Sequence, residues 1–307
     1  MGIVNYDVIV ATYNGSKYIE EQLMSILNQT ILPHKIFIRD DGSTDDTLML
    51  VKKMAASYDL ITVIEDDNGN LGYAANFELL CKHTVSDYIF FSDQDDFWIK
   101  TKAEELISHM KESSASCFFS NAIVTDCKLN PSHLLCSGNI KEKLRNKNSI
   151  LLENYVTGAT MACKKDFLLK VSPFPRGLPH DYWIAANAEV NSCLSFLDRA
   201  LIYYRQHGNN TIGAKKNNIF LRALRILTYK SVLYRKKSIF EKKILLDNIF
   251  LFKGSVSSDI GNKINFKYKV YFGNISFRYF YKNMKFASLK LKEKLILLYD
   301  YSRFKYF

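Results

Sequence analysis

Ser92-Asp93-Gln94-Asp95-Asp96-Phe97-Trp98 follows directly on Asp87-Tyr88-Ile89-Phe90-Phe91, and this junction decides how the chain is read. The earlier segment is an apolar, aromatic run of the kind that forms a buried strand. Three carboxylates within four residues stand at its end. Unneutralised, they repel one another, and more strongly where burial weakens solvent screening. A cation resolves that repulsion. Hard oxygen ligands of this kind suit Mg²⁺ or Mn²⁺, which keep waters and bind phosphate oxygens as well. An isolated D-x-D triplet also reads as a solvated acidic turn; the preceding strand and the motifs around it favour the cation.

Outward from this junction, strand and helix alternate. Residues 7–12 read as a short buried strand ending in the turn Tyr13-Asn14-Gly15. A helix follows from about Ser16, with Ile19, Leu23, Ile26 and Leu27 on one face. Ile36-Phe37-Ile38 begins a second strand that runs into Asp40-Asp41-Gly42-Ser43-Thr44-Asp45, where Ser43 suits a helix N-cap and Asp45 and Asp46 a first turn. Residues 61–64 make a third strand, and Asn68-Gly69-Asn70-Leu71-Gly72 is a loop feeding a helix around 74–81. Residues 88–92 are the fourth strand, and a helix is expected from Trp98 to about Lys111. Such alternation implies right-handed crossovers and an α/β fold on a largely parallel sheet. Ligands of open α/β sheets bind at the carboxyl ends of the strands, so Thr12–Asn14, Asp40–Ser43 and Asp93–Asp95 should share one crevice. After Ser120 the rhythm breaks, and residues 128–150 read as a loop or flexible cover.

Composition bounds the class. At 307 residues with 48% apolar content, the chain has room for one large domain or two ordinary ones. Six cysteines fall in no C-x-x-C pair, which argues for reduced thiols and against a disulfide framework or zinc site. No basic region followed by an apolar stretch opens the chain, and Tyr6 stands where a myristoylation signal has Ser or Thr, so neither leader nor acyl anchor is expected. No run of 18 uncharged apolar residues predicts a membrane span. The net charge of +11 is uneven: residues 215–307 hold 22 Lys or Arg against 5 Asp or Glu. The boundary falls near Gly213-Ala214-Lys215, giving expected domains of 1–213 and 214–307. No G-x-G-x-x-G follows the first strand and no G-x-x-x-x-G-K-[S/T] occurs, which weakens a dinucleotide site and excludes a P-loop. Asp40 and Asp41 at a strand end suit either a base or ribose contact or a helix cap, and the two roles can coexist.

Ala11-Thr12-Tyr13-Asn14-Gly15, Asp40-Asp41-Gly42-Ser43-Thr44-Asp45, Asn70-Leu71-Gly72 with Asn76-Phe77, and Ser92–Trp98 together resemble glycosyltransferase family 2 over roughly residues 5–213. The resemblance is nearest to bacterial transferases that build O-antigen and capsule units. It implies the GT-A fold, Rossmann-like with a largely parallel central sheet, here carrying a basic, mainly helical C-terminal extension. It also implies a nucleotide-diphosphate sugar donor and a divalent cofactor, Mn²⁺ or Mg²⁺. On this resemblance Thr12, Tyr13, Asn14 and Asp41 contact the nucleoside, Asp93 lies near ribose and diphosphate, and Asp95 ligates the metal. Thr157-Gly158-Ala159-Thr160-Met161 is similar to the segment beside the donor sugar, with an ordinary tight strand as its alternative. His180-Asp181-Tyr182-Trp183 resembles the acceptor-side motif, in which Asp181 is the general base; a helix cap is the competing reading. Tyr204-Arg205-Gln206-His207 resembles the closing segment, where His207 joins the metal cluster and Arg205 adds positive charge.

The tail interleaves aromatic and aliphatic residues (Phe220, Leu221, Leu224, Leu227, Tyr229) with Arg222, Arg225, Lys230 and Arg235. Such a pattern fits helices lying on anionic lipid, or a basic soluble subdomain. The first reading gives a cytoplasmic protein peripheral on the inner face of the cytoplasmic membrane, with a polyprenyl-diphosphate-linked saccharide acceptor. No nucleic-acid motif accompanies the charge. A nucleotidyltransferase would need a Gly- and Lys/Arg-rich loop that residues 11–17 lack, and a non-catalytic lipid or polyanion binder would have no use for Asp93, Asp95 and Asp181.

Overall fold

The computed structural model describes residues 4–136, 138, 140–145, 149–208, 229–249, 258–272, 280, 289 and 291–304. The charge boundary near residue 213, the end of the His207 motif and Phe220 to Leu227 lie outside the described residues. The chain divides into two compact units: residues 1–150 with 154–214, and residues 151–153 with 215–307.

The first unit is built on β1 (Tyr6–Thr12), α1 (Ile19–Leu27), β2 (Lys35–Asp40), α2 (Thr47–Ser57), β3 (Ile61–Val63), α3 (Tyr73–His83), β4 (Tyr88–Ser92), β5 (Phe97–Trp98) and α4 (Lys102–Lys111). It continues through β6 (Cys117–Thr125), β7 (Pro131–Leu134), α5 (Ile140–Arg145), β8 (Met161–Lys164), α6 (Lys165–Val171), α7 (His180–Val190) and β9 (Leu194–Arg205). One sheet runs β3-β2-β1-β4-β8-β6-β9-β5, with β7 on β6. β1 pairs in parallel with both β2 and β4, in registers that set Thr12 beside Asp40 and Val10 beside Ser92. Val8, Ile9, Val10, Ile89, Phe90 and Phe91 are fully buried, as expected of parallel strands covered on both faces. α1 buries Ile19, Leu23 and Ile26 against that sheet, at the spacing of one helical face.

Beyond β4 the topology departs from simple alternation. β8 runs antiparallel between β4 and β6, opposing Phe90 to Ala162 and Phe118 to Ala162. β9 returns parallel to β6. Three local expectations change. Ser43 does not cap α2, which starts at Thr47 after Asp46 with no side-chain cap bond; its hydroxyl donates to Asp40 instead. Phe97 and Trp98 are a two-residue strand pairing antiparallel with Ile202 and Tyr203, so the helix begins at Lys102. Residues 128–150 contain β7 and α5 where a structureless cover was expected. The six cysteines form no disulfide.

The second unit is helical among the described residues: α8 (Tyr229–Ile249), α9 (Ser258–Phe272) and α10 (Leu291–Phe304). Leu245, Leu246, Ile249, Ile264 and Leu297 form its apolar interior. Inside it, Asp300 is fully buried and takes the Arg235 guanidinium through both oxygens and the Tyr271 hydroxyl.

Candidate active site

Because β1, β2 and β4 are parallel neighbours, their carboxyl ends lie side by side, and the motifs that follow them meet. Thr12 is 1% exposed, and its hydroxyl donates to the Asp40 carboxylate at 2.9 Å. Asn14 takes a left-handed backbone at φ 49°, which Asn tolerates better than most residues. There its N–H donates to Ser43 Oγ and its side-chain oxygen accepts from Thr44 N–H, both at 2.8 Å. Gln94 closes the other side: its amide exchanges two bonds with the Tyr13 backbone at 2.8 and 2.9 Å. A Cβ at Gly15 would fall 2.1 Å from Gln94 Oε1, so that closure requires glycine. Tyr13 itself stays 48% exposed over the crevice. Asp41 is buried, and its carboxylate accepts from Arg39 and from the N–H groups of Leu71 and Gly72, each at 2.8 Å. Three of its roughly four lone-pair sites are thus engaged by protein.

The acidic triplet is packed into the same corner. Burial, and then the charges of Asp95 and Asp181, push the Asp93 carboxyl up to about 7. Burial and the neighbouring Asp95 and Asp93 push Asp96 well above the usual carboxylate range. Asp96 Oδ1 accepts the Arg205 N–H at 3.0 Å, whereas its buried Oδ2 has no hydrogen-bond partner. Below the triplet sits Lys102, fully buried. Its ammonium lies 3.6 Å over the Trp98 ring and donates to the Ala159 carbonyl at 2.7 Å. Burial drives its pKa well below the usual lysine value, against the opposing pull of Asp96 and Asp93. His207 Nε2 stands 2.8 Å from Asp95 Oδ2.

The downstream half reaches this corner through β8 and α7. Gly158–Thr160 is a single 3₁₀ turn rather than a strand. The Gly158 N–H donates to Asp181 Oδ2 at 3.2 Å, while Asp181 Oδ1 accepts from Tyr182 N–H at 2.6 Å and Asn154 Nδ2 at 3.3 Å. α7 is N-capped at Pro179, so Asp181 sits in its first turn and not at the cap. His180 is buried against Phe77, Phe91 and Tyr73, and burial lowers its pKa to about 3. Both of its ring nitrogens lack a hydrogen-bond partner. Its Nε2 lies 2.6 Å from where a Gly158 Cβ would stand.

A family profile described as Glycosyl transferase family 2 matches residues 7–171. The chain belongs to glycosyltransferase family 2. Over 272 residues it is 32% identical to the dTDP-rhamnosyl transferase RfbG of Shigella flexneri, spanning 83% of this chain and 91% of that protein. It is 24% identical to an uncharacterized glycosyltransferase of Haemophilus influenzae, spanning 82% of this chain and 76% of the relative. In fold it resembles S. aureus TarS 1-349 in complex with UDP-GlcNAc, with a TM-score of 0.59 and 16% identity over 96% of this chain and 79% of that one. It also resembles the mannosyltransferase PcManGT from Pyrobaculum calidifontis in complex with GDP-Man and Mn²⁺, with a TM-score of 0.52 and 16% identity over 96% and 85% of the two chains. The fold is GT-A.

In this glycosyltransferase the expected residues do not all face the crevice. Trp183 is 1% exposed and its indole N–H donates to the Val171 carbonyl at 2.7 Å, so it packs rather than lines. Arg205 was expected to present positive charge beside the substrates. It is 2% exposed instead, donating to the carbonyls of Asp95 and Cys127 and to Glu21 and stacking 4.4 Å over Tyr18. Two further residues emerge from the structure. Gln94 was visible inside the acidic motif, but its role depends on β1 and β4 being neighbours. Lys102 offered no signal beyond a lysine opening a helix. The residues fit a divalent ion: a carboxylate and an imidazole stand together at Asp95 and His207, beside buried acids short of positive charge. Among the described residues no three His, Cys, Asp or Glu side chains form a ready ligand set. Such an ion would draw its other ligands from phosphate oxygens and water.

Proposed function

We propose that this glycosyltransferase moves a sugar from a nucleotide-diphosphate sugar to a saccharide acceptor with inversion at the anomeric carbon. The observation that carries the reading is that Asp95, from the same strand end, and Asp181, from a helix nearly ninety residues later, both lie in electrostatic reach of Asp93. One site thereby holds acids for a metal–diphosphate group and a separate carboxylate for a proton. The names of the relatives support the donor class: RfbG is a dTDP-rhamnosyl transferase, and the structural neighbours carry UDP-GlcNAc or GDP-Man.

Asp181 takes the proton of the acceptor hydroxyl as that oxygen bonds to the anomeric carbon. The bond from that carbon to the diphosphate oxygen breaks, and the nucleoside diphosphate leaves with the electron pair. Three hydrogen-bond donors fix the Asp181 carboxylate, so it meets the hydroxyl in one orientation. A positioned base of this kind contributes roughly 10²–10⁴-fold. A divalent ion held by Asp95 and His207 would supply Lewis-acid neutralisation of the leaving diphosphate. Thr12, Tyr13, Asn14 and the last lone pair of Asp41 bind the nucleoside, and Asp93 lies toward ribose and diphosphate. Gly158, Ala159 and His180 frame the donor sugar, Trp183 supports that wall from behind, and Arg205 acts through the Asp95 backbone it holds.

The acceptor in this reading is linked to a polyprenyl diphosphate, in the assembly of O-antigen or capsule at the inner face of the cytoplasmic membrane. Supporting it are the rhamnosyl transferase relative and the basic, aromatic residues 215–307. No helix among the described residues is long and apolar enough to cross a membrane, so attachment would be peripheral. The test is transfer by the full chain from a panel of UDP-, dTDP- and GDP-sugars with Mn²⁺, repeated with EDTA. One donor should support turnover that the chelator removes. Turnover unaffected by EDTA would defeat the metal assignment, and nucleotide-sugar independence would defeat the donor class.

A further inference from the structure

The helical unit contains a cavity of about 360 Å³ whose polar lining is Lys242, Lys263, Lys267 and Glu293. Leu152, Ile239 and Ile264 form its apolar wall. Ile239 and Lys242 are three apart on α8, and Lys263 and Lys267 four apart on α9, so each helix turns one face to the cavity. Within the lining itself ammonium groups outnumber carboxylates. Lys267 pairs with Glu293 at 2.7 Å. Lys242 and Lys263 have no carboxylate within ion-pairing distance among the described residues. Burial, followed by the like charge of Lys267, lowers Lys242 to about 8, against the opposing pull of Glu153, Glu241 and Glu293. Those carboxylates offset the crowding of ammonium groups in part, and an anion in the cavity would offset it further.

We infer that this cavity binds the phosphate or diphosphate group of an amphiphile, with the lysines on its oxygens and Leu152, Ile239 and Ile264 against the first carbons of its apolar chain. The lining sets three ammonium groups against one carboxylate, with Glu153 and Glu241 near Lys242 outside it, and such a cationic wall suits a multiply charged phosphate better than a single carboxylate. Lysine serves phosphate as a compact point charge. The volume lies in the range of small-molecule sites, and a mixed polar and apolar lining is what fixes such ligands in one orientation. Two sources share this chemistry: an isoprenoid diphosphate, as in the acceptor proposed above, on which that assignment of origin rests, and a phosphomonoester lipid headgroup in the bilayer.

The experiment uses the full chain and measures binding of farnesyl diphosphate and of inorganic pyrophosphate by calorimetry, and of phosphatidate vesicles by flotation. The variant Lys242→Met/Lys263→Met keeps side-chain volume and removes charge. Its melting temperature should equal or exceed wild type, because a poorly hydrated charge is lost. Its affinity for the preferred phosphorylated amphiphile should fall by tenfold or more. Preference for farnesyl diphosphate supports an isoprenoid ligand, and preference for phosphatidate supports a bilayer headgroup. Equal affinity for inorganic pyrophosphate would overturn the apolar part of the assignment. Absence of binding to both amphiphiles, or undiminished binding by the variant, would overturn the site. A wild-type protein that binds farnesyl diphosphate but glycosylates no lipid-linked acceptor would refute the acceptor reading and leave this site standing.

Discussion

Replacing Gly158 by Ala tests the geometry of the site at a single atom. The added Cβ would stand 2.6 Å from His180 Nε2, 3.1 Å from His180 Cε1 and 3.7 Å from Asp181 Cβ. Ordinary contact needs about 3.5 Å, so the overlap is roughly 1 Å. The imidazole has nowhere to retreat: Phe77 lies 4.3 Å from it centroid to centroid, Phe91 stacks at 5.6 Å, and both phenyl groups are themselves buried. The displacement therefore falls on the 158–160 turn or on the first turn of α7, and both carry the hydrogen bond that orients Asp181. Overpacking of this kind costs about 1–3 kcal/mol of stability. A shift of about 1 Å in a catalytic group costs on the order of 10²-fold in rate. We expect Gly158→Ala to lower kcat by about that factor, read as nucleoside diphosphate release at saturating donor and acceptor, with a lowered melting temperature. Removing the obstructing imidazole should recover part of the loss. Gly158→Ala/His180→Ala should be better than the sum of the single variants by about 0.5–3 kcal/mol in a double-mutant cycle. Wild-type kcat and melting temperature for Gly158→Ala, or strict additivity in the cycle, would refute the argument.

Asp181→Asn should abolish transfer while leaving donor affinity within a few-fold of wild type; turnover at the wild-type rate by the folded variant would remove Asp181 as the base. Asp95→Ala should lose transfer and the response to added Mn²⁺, and a variant still stimulated by the metal would place the ion elsewhere. The Asp66 carboxylate, bound twice by the Arg39 guanidinium, is held well below the usual carboxylate range. Its contribution to stability is therefore present above the unfolded carboxylate value near 4 and is lost as pH falls below it. Asp66→Asn should flatten the decline of stability between about pH 5 and 2, and an unchanged acid limb in urea titrations would contradict this. In the helical unit, Asp300→Ala leaves Arg235 and Tyr271 without their shared partner and should cost about 3–5 kcal/mol in chemical unfolding; a loss below 1 kcal/mol would mean that water replaces the carboxylate.

The first four strands and the convergence of their motifs were legible because both follow from local pattern and parallel crossovers. Val8 to Val10 and Ile89 to Phe91 are continuous apolar runs, and each ends in residues that make sense only at a strand mouth. What was not legible depends on long-range pairing. Trp98 was expected to open a helix, but Phe97 and Trp98 pair with Tyr203 and Ile202 as a strand and Ser25 Oγ accepts the Trp98 N–H. Ser43 has the composition of a cap, yet its hydroxyl donates to Asp40 and accepts from the Asn14 N–H, and α2 has no side-chain cap bond. Arg205 and Trp183 are residue types that commonly contact ligands, and only burial reveals that carbonyls already hold them. Lys102 was missed for the opposite reason, since a lysine opening a helix is ordinarily solvated, and the insertion of β8 beside β4 is what brings the Ala159 carbonyl over it.

Burial alone does not mark an acid as part of the site, and Asp7 shows why. It is as buried as Asp96, at the opposite end of β1 and β4, but its oxygens accept from the Val85 and Ser86 N–H groups and the Ser86 hydroxyl. That carboxylate is satisfied by protein and ties a loop to a strand. Within the triplet at the carboxyl end, Asp96 differs from Asp7. Asp96 keeps an unpartnered buried oxygen, and Lys102, in electrostatic reach of it, gives its hydrogen bond to Ala159. Burial pushes Asp96 up and Lys102 down, against the attraction between the lysine and the acids. Arg205 is likewise turned onto carbonyls and Glu21. Lys102 and Arg205 thus give hydrogen bonds to carbonyls that hold Ala159 and Asp95 in place, and among the described residues no hydrogen-bond partner reaches Asp96 Oδ2.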